Sequence, residues 1–85
     1  MYKNRNSDGS LNLCGNKIKA LRQALTPAVS QRMLADKLQL IGIDLDKNAI
    51  QKIESGKRFV TDIEIVAFSE VFNITTDELL KQDLN

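Results

Sequence analysis

The sequence predicts an all-α fold, five short helices packed around one small core. Apolar residues recur at three- and four-residue spacing and never alternate over a strand's length. Helix-start residues stand before four of the apolar stretches: Ser30, Asp46, Thr61 and Thr75. Turn residues do not recur at strand spacing; Val60 and Thr61 favour strands, but they precede a strong helix start. The chain of 85 residues makes one domain with a compact core.

Residues 1–11 are polar and read as a flexible N-terminal arm, with 12–85 as the domain. The first helix is expected from about Gly15 to Leu25, because Ile18, Leu21 and Leu25 form one apolar stripe. Pro27 ends it, since the residue before a proline resists helical dihedrals. The second helix starts at the N-cap Ser30 and buries Leu34, Ala35 and Leu38, the small Ala35 letting another helix cross closely. The third starts at Asp46 and reaches Ser55. Its residues Ile50 and Ile53 point inward, and Gly56 takes the left-handed position after it. Thr61-Asp62-Ile63-Glu64 is a capping box that opens the fourth helix, in which Ile63, Val66, Ala67 and Val71 follow with helical spacing. A second box, Thr75-Thr76-Asp77-Glu78, opens a short fifth helix ending near Lys81, with Leu79 and Leu80 as its apolar residues.

Composition narrows the chemistry. No apolar run approaches the roughly 20 residues that cross a bilayer. The N-terminus MYKNRNSDGS has no following apolar block, so no secretory leader and a cytoplasmic location are expected. There is one cysteine, Cys14, read as a small semi-buried residue, and no histidine. No disulfide, metal site or cofactor is therefore expected. Without histidine, a Gly-rich phosphate loop or a carboxylate cluster, no enzyme is expected either; Asp44 and Asp46 read as a solvated acid and an N-cap.

Net charge is only +1, but it is unevenly distributed. Residues 1–61 hold eleven of the twelve Lys and Arg and five of the eleven Asp and Glu, a balance of +6. Residues 62–85 hold the remaining base, Lys81, and six acids, a balance of −5. A basic N-terminal part can face phosphates while the acidic part faces away. Ser30–Arg58 then stands out. Two short helical patterns flank a tight connection, and the second is polar on one face and closed by a glycine with two basic residues after it. A helix-turn-helix needs that arrangement to set one helix in the major groove of DNA.

The chain resembles the Cro and lambda-repressor family of helix-turn-helix domains, the xenobiotic-response-element type. Ile18 and Leu21-Arg22 carry the likeness in the first helix, and Ser30-Gln31 and Leu34-Ala35 in the second. Ile50, Ile53-Glu54 and Gly56 carry it in and after the third, followed by Val66-Ala67, Phe72-Asn73-Ile74 and Leu79-Leu80. It covers about residues 15–81. The resemblance implies a compact five-helix lambda-repressor-like DNA-binding domain whose third helix reads bases. Lys47, Asn48, Gln51 and Lys52 then face the groove, where Asn and Gln pair with adenine edges and Lys donates to guanine. Gln31 would bond a backbone phosphate and brace the recognition helix, at a helix N-terminus that itself attracts phosphate. Lys57 and Arg58 would hold phosphates and fix register. Arg22 and Glu54 would form the structural ion pair that joins the first and third helices.

The sequence departs from the family once. Fourteen residues separate Ala35 from Ile50, more than a helical turn beyond the usual spacing. The extra residues, within 39–45, either lengthen the second helix or widen the loop before the third.

The expected function is a sequence-specific DNA-binding transcriptional regulator, a repressor on a double-stranded DNA operator. A homodimer is expected, since one recognition helix reads few base pairs, with half-sites roughly 34 Å apart. Its surface would come from the fourth and fifth helices and the tail, with Leu79, Leu80 and Leu84 as candidates; core packing is the competing role for all three and is favoured for Leu79. The alternative is a protein-interaction module, antitoxin- or adaptor-like, that uses the same fold to grip a partner.

Overall fold

Four hydroxyl and carboxylate side chains decide where four of the helices begin. In the computed structural model, which describes residues 9–81, Ser30 Oγ accepts from the Met33 N–H at 3.1 Å and Asp46 Oδ1 from the Ala49 N–H at 2.8 Å. Thr61 and Thr75 each accept from the N–H three residues on, at 3.2 and 3.1 Å. Glu64 and Glu78 reach back to the Thr61 and Thr75 N–H groups, so both capping boxes are closed. The helices are α1 (Gly15–Ala24), α2 (Gln31–Leu40), α3 (Lys47–Glu54), α4 (Asp62–Phe72) and α5 (Thr76–Leu80). Among the described residues there is no strand, and no helix is long and apolar enough to cross a membrane.

Helix ends follow one rule three times. After α2, α3 and α4, a left-handed residue turns the chain and two N–H groups close on the last carbonyls. Gly42, Gly56 and Asn73 are those residues. At Gly56 (φ +76°), its own N–H bonds the Ile53 carbonyl at 3.0 Å and the Lys57 N–H bonds the Lys52 carbonyl at 2.8 Å. A side chain there would be strained and would also meet Ser10.

The core is built from one face of each helix. Ile18 of α1, Leu34 and Leu38 of α2, Ile50 and Ile53 of α3, Phe68 of α4 and Leu79 of α5 are fully buried. α3 lies against α1 and α2, and α4 packs on α1, α2 and α5. The long connection resolves as a helix end and a loop: α2 continues to Leu40, Gly42 reverses the chain, and Leu45 returns to the core just before the Asp46 cap.

Packing selects among the apolar residues of α4 and α5. α4 does not bury Ile63 or Val66, which are 67% and 48% exposed; its inward residues are Ala67, Phe68 and Phe72. This helix is apolar at seven positions around its circumference, so two stripes compete. Turning the two phenylalanine rings inward removes more apolar surface from water. Leu79 is 1% exposed and belongs to the core, the role favoured for it over a dimer surface; Leu80 is half-buried, and Leu84 lies outside the described residues.

Residues 1–8 of the expected arm also lie outside the described residues. Its last residue is fastened, since the Leu11 N–H donates to the Gly56 carbonyl at 2.8 Å.

Candidate nucleic-acid interface

α3 has one dry side and one wet side. Ile50, Ile53 and Glu54 face the protein, while Lys47, Asn48, Gln51 and Lys52 are exposed. Among the described residues, the Asn48 and Gln51 side chains make no internal hydrogen bond, so their amide donors and acceptors meet only solvent. Three residues apart on a helix, they lie on the same side of it. Bidentate pairing with a base edge needs an unengaged amide of this kind.

The buried side is braced through Glu54. Arg22 donates from Nε to one carboxylate oxygen at 2.8 Å and from Nη2 to the other at 2.9 Å. Its Nη1 donates to the Val29 carbonyl at 3.0 Å, before the cap of α2. Gln31 Nε2 donates to Glu54 at 3.0 Å. The two charged side chains are 11% and 4% exposed, so the pair is largely desolvated. The hydrogen bonds to Glu54 hold the Arg22 guanidinium charged against the opposing effect of burial. One carboxylate thus ties α1, the start of α2 and the end of α3 together. The Gln31 amide keeps its oxygen and a second N–H outside this network, at the N-terminus of α2.

A second brace had not been expected from the sequence. Asn12 Nδ2 donates to the Ile53 carbonyl at 3.0 Å and to the Arg58 carbonyl at 2.8 Å. Its Oδ1 accepts from the Gly15 N–H at 2.8 Å, at the start of α1. Gly15 lets the first turn of α1 sit against the C-terminal end of α3; a Cβ there would collide with the Ile53 carbonyl oxygen. An asparagine three residues before a helix start was the available signal. Its carbonyl partners, some forty residues away in sequence, left none.

The two basic residues after α3 differ. Lys57 is exposed, and its side chain has no partner among the described residues. Arg58 donates to both oxygens of Glu64, at 2.9 and 3.1 Å, and to the Phe59 carbonyl at 2.8 Å. Its side chain remains 32% exposed. Burial alone would raise the Glu64 carboxyl, but bonds from Arg58 and Thr61 outweigh it and hold it below its ordinary value. The sequence showed Glu64 as a capping residue and gave no sign of its second role.

Cys14 is buried, and burial pushes its thiol up to about 11, so it stays protonated at neutral pH. Among the described residues no group of His, Cys, Asp and Glu is placed to hold a metal ion.

A family model described as helix-turn-helix, of the Cro/C1 type, matches residues 18–79. The chain belongs to that family. The match spans α2, α3 and α4 entire, with Arg22, Gln31 and Glu54 inside it, while Asn12 and Gly15 lie outside. No curated protein and no solved structure matches the chain. Family membership makes this a DNA-binding type of domain.

Proposed function

We propose that this protein is a sequence-specific DNA-binding regulator of transcription that acts as a repressor in the cytoplasm. It sets α3 in the major groove of a double-stranded operator and blocks the promoter there. The observation that carries this reading is the exposed flank of α3, whose polar side chains are unengaged among the described residues while its other side is pinned by Ile50, Ile53 and Glu54. Lys47, Asn48, Gln51 and Lys52 read base edges. Gln31, Lys57 and Arg58 hold phosphates on either side. Binding is as a homodimer, with half-sites roughly 34 Å apart. Its surface lies on α4 and α5, where Ile63 and Val66 are exposed and Leu80 is half-buried.

The test is selection of duplexes from a random pool, followed by titration of variants on selected and random DNA. Gln51→Ala and Asn48→Ala should each weaken selected-site binding by about 1–3 kcal/mol and relax preference at one base pair. Lys57→Ala should weaken both duplexes alike and lower the salt slope by about 1. Equal effects of the two sets on both duplexes would refute these roles.

One observation favours a second reading. Ile63 and Val66 share an exposed face of α4 with the acidic Asp62 and Glu70 nearby, a surface suited to a protein partner. No selected duplex, together with a stable protein complex insensitive to salt, would establish that module in place of the regulator.

A further inference from the structure

An arginine has five N–H donors in a rigid planar fork. In Arg58, both Nη1 hydrogens are engaged, one by the Phe59 carbonyl and one by Glu64 Oε1. One Nη2 hydrogen goes to Glu64 Oε2. The Nε hydrogen and the second Nη2 hydrogen remain. They lie side by side along the other edge of the guanidinium, spaced for two oxygens of one phosphate. Among the described residues the Arg58 Nε has no hydrogen-bond partner and is not fully buried, and the side chain as a whole is 32% exposed.

Both ends of this arginine are held. Asn12 fixes its backbone carbonyl. Glu64 fixes its head and is itself immobilised, because Oε1 also accepts the Thr61 N–H at 3.0 Å in the α4 capping box. The flexibility a free arginine would lose on meeting DNA has already been lost in folding. Beside it stands Lys57, exposed at the end of α3.

We propose that Glu64 is a positioning residue for DNA binding, presenting the Nε–Nη2 edge of Arg58 as a preset clamp for one backbone phosphate next to the recognition helix. This rests on the reading of the protein as a DNA-binding regulator. The opposite role for the same contact would be a mask, with the carboxylate occupying Arg58 in place of phosphate. The two differ in sign. A positioning carboxylate strengthens binding, whereas a mask weakens it.

The experiment measures dissociation constants of the full chain on a selected duplex over a range of salt, for wild type, Glu64→Gln, Arg58→Lys, the double variant and Arg58→Ala. Glutamine is also accepted at the third position of a capping box, so Glu64→Gln keeps the α4 start. A melting curve confirms the fold of each variant. Arg58→Ala should lower the salt slope by about 0.9, one phosphate contact. Glu64→Gln should weaken binding by about 3- to 10-fold, the loss of one well-placed hydrogen bond, with the slope unchanged. Arg58→Lys should weaken it similarly, because the ammonium keeps the charge but lacks the fork. Adding Glu64→Gln to Arg58→Lys should cost nothing more.

Tighter binding by Glu64→Gln would overturn the proposal in favour of the mask. An unchanged slope and affinity in Arg58→Ala would overturn it by making Arg58 purely structural. If Arg58→Ala fails to fold, full affinity in Arg58→Lys refutes the clamp. A wild-type chain that binds no duplex would sink the regulator reading and the clamp together, whereas the other adverse results sink the clamp alone.

Discussion

Truncating Glu54 to alanine tests the brace behind α3 most directly. Glu54 is 4% exposed at its side chain and receives three hydrogen bonds, two from Arg22 and one from Gln31. In Glu54→Ala, Arg22 keeps only the Val29 carbonyl, and a largely buried cation is left uncompensated. Removing one partner of a buried pair costs about 3–5 kcal/mol. Arg22 retains 11% exposure and can draw in some water, which places the cost near the low end, about 3 kcal/mol. A domain of this size loses about 4–8 °C of melting temperature per kcal/mol, so a fall of about 12–24 °C is expected. Thermal unfolding followed by circular dichroism reads it. The pair can also be replaced together. Arg22→Met with Glu54→Leu fills the site with apolar volume and should recover much of the loss, since well-packed apolar residues often match a buried ion pair. A fall below about 4 °C in Glu54→Ala, or a double variant no more stable than the single one, would refute the account of Glu54 as the joint between α1, α2 and α3.

Gly15→Ala should destabilise the domain by about 1–3 kcal/mol, because the new methyl meets the Ile53 carbonyl and lies 2.9 Å from Asn12 Oδ1. Alanine ordinarily gains up to about 1 kcal/mol over glycine inside a helix, so a rise in melting temperature would contradict the close approach of α1 to α3. The Glu64 carboxyl sits below its ordinary value of 4.5. Its contribution to stability is therefore complete above about pH 4.5 and is lost as pH falls through the lower, folded value. The difference in melting temperature between wild type and Glu64→Gln should shrink on acidification below that pH, and a constant difference would exclude the Arg58–Glu64 pair as its source.

The local grammar of this chain was legible in its residues. Ser30, Asp46, Thr61 and Thr75 mark helix starts because a cap bonds an N–H only three residues away, and nothing distant alters that geometry. Gly56 marks the end of α3 for the same reason. The polar flank of α3 was equally legible, because its two isoleucines at three-residue spacing leave only one side to face solvent. What needed the tertiary structure was every choice between competing partners. α4 carries two apolar stripes, and only its neighbours decide that Phe68 and Phe72 turn inward while Ile63 and Val66 stay in water. Arg58 read as a simple phosphate contact until the fold brought Glu64 to it, although the two stand six residues apart in sequence. Asn12 finds two carbonyls on the far side of the chain, a pairing that no spacing encodes. Capping is settled within one turn of backbone, so sequence suffices for it. Burial and ion pairing depend on which surfaces meet, and only the packed molecule determines that.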